Sequence, residues 1–259
     1  MSPAWILIPS VALAASLLTL FSGFGLGTLL LPAVALFFPL ETAIAVTALV
    51  HLANNLYKLA LFGRRANRRV VGRFGLPAIA GAFAGAWALD LLGSSTPVWS
   101  YELGGRMHAV TGLKLTLALL MTVFALWEVL PRLARLGFPP RWLPAGGLLS
   151  GFFGGLSGHQ GALRSAFLVR LALSKEEFVG TGVVIACLVD STRLAGYAAN
   201  WRGIAWQESG ALLLVTAAAA VAGATIGARL LPKTTVAGVQ GLVSALLLAF
   251  AAALAAGLI

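Results

Sequence analysis

Charge is scarce in this chain of 259 residues. Charged residues make up 10% of the sequence, none of them precedes Glu41, and hydrophobic residues make up 59%. The mean hydropathy is +0.94. This composition excludes an ordinary soluble domain, and no polar stretch is long enough to fold as a separate one. Because roughly 20 apolar residues in a helix cross a bilayer, we predict a single all-α integral membrane domain over residues 1–259.

Cysteine and histidine are rare too, with one and three residues. Cys187 alone cannot close a disulfide within the chain, and so few ligands argue against a metal centre. The HExxH, Walker and GxSxG motifs do not occur. We therefore expect no cofactor, no metal and no enzyme activity. The basic residues behind the formal net charge of +10 lie mostly between apolar runs, where they indicate membrane topology rather than nucleic-acid binding.

Glycine, by contrast, is abundant, and glycine-rich stretches interrupt two long apolar runs at residues 22–27 and 150–158. Glycine lets a helix stop, turn and restart without steric penalty. We predict that residues 3–38 form a longer and a shorter helix, and that residues 143–157 and 160–173 form two short helices around the second break. Paired broken segments of this kind are typical of a transporter's binding site.

The other apolar runs predict ordinary spans, and all the segments together form an internal repeat. The spans cover residues 42–62, 74–92, 107–130, 178–198, 210–231 and 236–259, and the loops between them include 63–73, 93–106 and 131–142. Repeat 1 occupies about 1–131 and repeat 2 about 142–259, with five helical segments each. Residues 80–86 and 222–228 correspond, each with two glycines four positions apart, a spacing that allows close helix approach in lipid.

The lysine and arginine positions set the orientation of the two repeats. If the two ends of each broken pair lie on one side of the membrane, twelve basic residues fall on one side and two, Arg106 and Arg202, on the other. If each pair crosses once, the split is nine against five. The positive-inside rule therefore favours inverted repeats with both termini outside, whether the broken segments cross fully or re-enter.

Polar residues inside the spans are costly and need a reason. In the span 42–62, positions 51, 54, 55 and 58 follow helical spacing and form one stripe. In the span 178–198, Asp190 and Arg193 are three residues apart and can pair on one face. The two spans occupy equivalent places in the repeats, so an inverted arrangement turns both toward a shared centre.

These side chains and the two glycine breaks predict a polar site for an anion. Restarting helix N-termini near Thr28 and Ala162 would present backbone N–H groups to it, Arg164 could bind an oxyanion through two N–H groups, and His51 or His159 could couple transport to protons. The candidate substrate-binding residues are Gly25, Gly27, Thr28, His51, Asn54, Asn55, Lys58, Ser157, His159, Gln160, Arg164, Asp190 and Arg193.

A structural explanation competes with this hypothesis. Polar residues in membrane helices often bond neighbouring helices, Lys58 could extend its ammonium toward the basic loop, and Asp190–Arg193 could be a structural ion pair. An anion channel with the same lining is a further alternative. A membrane-embedded enzyme with His159 as base would lack a recognisable nucleophile or metal partner.

The two glycine-rich stretches also resemble a known family. Residues 22–32, SGFGLGTLLLP, are similar to the first-half signature of the sulfite exporter TauE/SafE family, and residues 150–158, SGFFGGLSG, to its second-half counterpart. The resemblance implies a multi-pass carrier of the bacterial inner membrane, usually an exporter, for sulfite, sulfonates or related organosulfur anions. His159 and Gln160 stand where the family usually has further glycines. Lipid, a small anion and protons are the expected partners, and a homodimer is left open.

Overall fold

The computed structural model describes residues 2–19, 26–93, 96–134, 136–198, 206–230 and 236–259. These residues form a mainly helical protein with one two-stranded hairpin. The elements are α1 (Ala4–Thr19), α2 (Leu26–Ala35), α3 (Leu40–Phe62), the single turn α4 (Arg68–Val70), α5 (Leu76–Gly93), β1 (Pro97–Leu103), β2 (Arg106–Thr111), α6 (Gly112–Val129), α7 (Pro131–Ala134), α8 (Leu143–Ser157), α9 (Gly161–Leu168), α10 (Lys175–Tyr197), α11 (Trp206–Leu230) and α12 (Val236–Ala255).

Several helices are suited to a membrane by length and composition. Within the described part of the chain, four reach the length and hydropathy needed to cross: Leu40–Arg65, Arg68–Gly93, Lys175–Tyr197 and Gly210–Arg229. Shorter apolar helices cover Ala4–Leu17, Leu26–Ala35, Gly112–Trp127 and Val243–Ala255. The protein is thus a helical, multi-pass membrane protein.

Both predicted helix breaks divide the chain as expected. The first apolar run gives α1 with 16 residues and α2 with 10, although residues 20–25, including Gly25, lie outside the described residues. The second break separates α8 from α9, but α9 ends at Leu168 rather than at the predicted residue 173. Gly158 ends α8 with a φ of 83°, in the left-handed region, which glycine adopts at little cost and other residues avoid.

The segment predicted as a loop at 93–106 is a β-hairpin instead. β1 and β2 pair antiparallel and are joined by Gly104 and Gly105, with φ values of 61° and 74°. Two residues with positive φ form the turn that matches the twist of a hairpin. Residues 107–111, predicted as the start of a span, belong to β2, and the helix begins at Gly112.

The hairpin packs on the end of the chain. Tyr101 stacks on His108 at a ring-centroid distance of 5.4 Å, and its hydroxyl donates to the carbonyl of Ala256. The His108 ring lies 3.3 Å from the carbonyl oxygen of Gly257. The connection between two membrane helices is therefore tied to the end of α12.

The basic segment at 63–73 is helical rather than a loop. A 3-10 turn at Gly63–Arg65 leads into α4, whose first turn is capped by the Asn67 side chain, which accepts a hydrogen bond from the Val70 N–H at 3.2 Å. A π-helical turn at Val71–Gly75 continues into α5. The basic segment therefore continues from α3 into α5 as a series of short helical turns.

Glycine seams hold the helices in pairs. A Cβ added at Gly81 or Gly85 of α5 would collide with the backbone of α8 at Leu148 or Phe152. The glycines of α8 lie equally close to the other side of this contact. A Cβ added at Gly147, Gly151 or Gly155 would collide with the backbone at Phe74, Ala78 or Ala82. Gly223 of α11 meets the backbone of α1 at Leu13 in the same way. Close packing through small residues is the usual means of helix association in lipid.

The remaining large contacts join α3 to α10 and α6 to α12. Each of the four main pairs therefore joins one helix from residues 1–131 with one from residues 142–259. The main apolar core contains residues of α1, α2, α3, α6 and α12, and a second core lies between α5, α8, α9 and α10. The pair α3–α10 brings the predicted polar spans together at the centre.

Candidate functional site

The polar stripe of α3 faces the protein interior. Asn54, Asn55 and Lys58 are 0%, 5% and 7% exposed, and the His51 side chain is 16% exposed. The facing helix α10 is started by a capping box, in which Ser174 Oγ accepts from the Glu177 N–H and the Glu177 carboxylate accepts from the Ser174 N–H. Such a box fixes where a helix begins, and hence which residues of α10 reach α3.

Asp190 of α10 is the centre of the polar cluster and is fully buried. Its Oδ2 lies 2.7 Å from His51 Nδ1 and 2.7 Å from Asn55 Nδ2. Its Oδ1 accepts from Gln160 Nε2 at 3.2 Å and pairs with Arg193 Nη2 at 3.0 Å. The predicted Asp190–Arg193 pair is therefore confirmed, and this carboxylate also joins α3, α10 and the second glycine break.

Arg164 and Gln160 extend the cluster into α9. Arg164 Nη1 donates to Gln160 Oε1 at 3.3 Å, and both side chains are buried. The Gln160 carbonyl oxygen accepts from Ser150 Oγ at 3.0 Å, which ties the break to α8. Arg164 is held one turn into α9, where its guanidinium is attracted to Asp190 and repels the Lys58 ammonium.

His159 lies between the break and α6. Its Nδ1 is 3.0 Å from Ser157 Oγ, and its ring stacks on Phe124 with centroids 5.7 Å apart and planes 6° apart. Its Nε2 is buried and has no hydrogen-bond partner among the described residues. A buried polar atom without a partner costs free energy, so this nitrogen is a candidate ligand contact.

The first glycine break meets the second at this point. A Cβ placed on Gly27 would lie 3.7 Å from His51 Cδ2 and 3.9 Å from both Thr47 Cγ2 and the Gly158 carbonyl oxygen. Thr28 is buried next to Gly27. The restart of α2 therefore adjoins the polar stripe of α3 and the end of α8, as predicted from the sequence.

Thr47 is a site residue that the sequence analysis missed. Its Oγ1 is buried and finds no partner in the described part of the chain. It lies four residues before His51, so the helical spacing of the stripe was the signal that could have found it. Phe124 and Ser150 were also missed, since only the tertiary structure brings α6 and α8 to the break.

Asn54 and Lys58 form a second branch of the stripe, toward α1 and α11. With its amide oriented to satisfy all its neighbours, Asn54 donates to the Ala220 carbonyl at 3.2 Å and to Ser16 Oγ at 3.0 Å, and accepts from Lys58 Nζ at 3.1 Å. Asn54 thus bonds neighbouring helices, as the structural alternative proposed. Lys58 remains buried, so its ammonium does not extend to the basic segment.

The site carries more positive than negative charge. Among the residues whose burial the structure describes, the charged ones that are buried are Lys58, Arg164, Arg193 and one carboxylate, that of Asp190. An excess of buried positive charge inside a membrane protein is unfavourable, and a bound anion would offset it. Among the described residues, no group of three or more His, Cys, Asp or Glu could hold a metal ion.

The helices and this cluster define a class: a multi-pass membrane protein with a cationic polar site between its helices. The family model described as "Sulfite exporter TauE/SafE" matches residues 8–254, and the chain belongs to that family. The family's members are membrane transporters rather than enzymes, so membership implies transport of sulfite or related compounds. The resemblance seen in the glycine motifs is confirmed. No curated protein and no solved structure matches the chain.

Proposed function

We propose that the protein is a secondary transporter that exports sulfite, sulfonates or related organosulfur anions across the bacterial inner membrane. The observation that carries the proposal is the excess of buried positive charge around the two glycine breaks. The anion would be bound by Arg164 and Lys58, with the Thr47 hydroxyl as a further donor. Sulfur oxyanions match such a set because several oxygens can each accept a hydrogen bond.

The helix pairing supports a repeat mechanism. In the pair α1–α11, the first helix of residues 1–131 packs on a later helix of residues 142–259. In the pair α5–α8, a later helix of residues 1–131 packs on the first helix of residues 142–259. Glycines form the close contact in both pairs. The central pair α3–α10 holds the polar site. We propose that the halves are inverted and rock about this site, so that it opens to each side of the membrane in turn.

The test measures flux in proteoliposomes loaded with radiolabelled sulfite. We expect the Arg164→Ala variant to lose transport, because an anion in the site would face one cation fewer. The matched control is Arg170→Ala, which removes an exposed arginine from the same region of the chain. Both variants must elute as folded protein of unchanged melting temperature. Undiminished sulfite flux in Arg164→Ala would rule out the proposed site.

The same vesicles separate a transporter from an anion channel. A transporter saturates with sulfite concentration and shows counterflow when unlabelled sulfite is present on the opposite side. A channel conducts without counterflow.

A further inference from the structure

We infer that His51, held by Asp190, is a proton-binding site that is filled when the anion binds, so that one proton travels with each anion. The inference rests on the proposed function and specifies its coupling ion. His51 is selected over His159 by its position: it contacts the buried carboxylate on one side and the first glycine break on the other.

The hydrogen bonds assign the His51 tautomer. Asn55 Nδ2 lies 2.7 Å from Asp190 Oδ2 and 3.1 Å from His51 Nδ1. The amide has two hydrogens and gives one to Asp190, whose ionised carboxylate only accepts hydrogen bonds and therefore has none to give to His51. His51 Nδ1, itself 2.7 Å from Asp190 Oδ2, is then the donor of its own hydrogen bond to the carboxylate.

This tautomer leaves His51 Nε2 as the nitrogen that takes up a proton. Nε2 is bonded to Cδ2, the ring atom that faces Gly27 and the junction of the two breaks. A proton bound at Nε2 would therefore point toward the space proposed for the anion, and the new N–H could donate a hydrogen bond to that anion. Asp190 would stabilise the imidazolium from the opposite edge of the ring, as a buried carboxylate does for a histidine.

The surrounding charges determine when the proton binds. The titratable and charged groups around the pair are Lys58 of α3, His159 of the break, Arg164 of α9, and Cys187, Arg193 and Tyr197 of α10. The three fixed cations among them oppose a further positive charge on His51 while the site is empty. An anion in the site offsets that repulsion, so anion and proton bind with positive coupling, and the coupling is reciprocal.

Histidine NMR of the full-length protein in detergent tests this directly. The chain has three histidines and therefore three Cε1–H signals, which His108→Gln and His159→Gln variants assign by elimination. At one fixed pH, we expect saturating sulfite to move the His51 signal toward that of the protonated imidazole, because proton and anion bind with positive coupling. The signal of His108, in the hairpin, should not respond to sulfite and serves as the internal control.

Calorimetry of sulfite binding gives a second measurement. The measured quantity is the number of protons taken up when sulfite binds. The ionisation of sulfite itself contributes equally in every variant, so the difference in proton uptake between wild type and His51→Gln isolates the proton bound at residue 51. We expect that difference to approach about one proton per sulfite, and Asp190→Asn to bind fewer protons than wild type at the same pH. If sulfite binds wild type without moving the His51 signal, the inference alone is overturned. Absence of sulfite binding to wild type would instead overturn the proposed function, and the inference with it.

Discussion

Replacing Gly158 with alanine should damage the site through a single methyl group. Gly158 has a φ of 83°, and a Cβ built there would lie 2.6 Å from Arg193 Nη1. Left-handed backbone costs an alanine about 1–2 kcal/mol. The collision adds to this cost because the buried tip of Arg193 has to shift, which disturbs the 3.0 Å contact between its Nη2 and Asp190 Oδ1. Gly158→Ala should therefore lose more stability than backbone strain explains.

Gly104→Ala is the matched control for this prediction. Gly104 also has a positive φ, of 61°, but an added Cβ there has no atom within 4 Å. The Gly104→Ala variant should therefore lose only about 1–2 kcal/mol of stability, from backbone strain, and its sulfite flux should be unchanged. The assay is unfolding in mixed micelles followed by near-UV circular dichroism, combined with flux in proteoliposomes. Equal losses of stability in the two variants, with normal flux in both, would refute the reasoning about Arg193.

Two further predictions concern packing and the ion pair. Gly85→Ala should destabilise the α5–α8 contact by about 1–3 kcal/mol through overpacking. Gly241→Ala should instead stabilise α12 by about 0.5–1 kcal/mol, because a Cβ there meets nothing within 4 Å. Equal melting temperatures of the two variants would contradict this prediction. Asp190→Leu should lower the free energy of unfolding by about 3–5 kcal/mol, and adding Arg193→Leu should restore much of that stability. Additive losses of stability in the double variant would argue against a buried ion pair.

Much of the candidate site could be predicted because helical periodicity is local. Residues 51, 54, 55 and 58 share a face whatever they pack against, and the Asp190–Arg193 spacing allows pairing within one helix. The connection of Asp190 to His51 could not be predicted, since it depends on how α3 and α10 align in the fold. The division of the stripe, with Asn54 turned to α1 and α11, has the same cause.

The hairpin was missed although the sequence contained a signal for it. Gly104 and Gly105 separate VWSYEL from RMHAVT, and two glycines between runs of aromatic and β-branched residues predict a two-residue hairpin turn. The composition of the segment, rich in Gly, Ser and Thr, indicated a loop more strongly. The helical course of the basic segment at 63–73 depends instead on Asn67, whose capping role is a property of its local geometry.

The central claim is that both halves of the chain contribute cations to one anion site. It is tested most directly by equilibrium binding of radiolabelled sulfite to purified wild type, Lys58→Gln, Arg164→Gln and the double variant. Lys58 comes from the first half and Arg164 from the second, and the two repel each other across the site. We predict one saturable site per chain, weakened by either substitution, with effects in the double variant that are not additive. Binding that keeps wild-type affinity in Lys58→Gln, or two independent sites that are lost one at a time, would contradict the account.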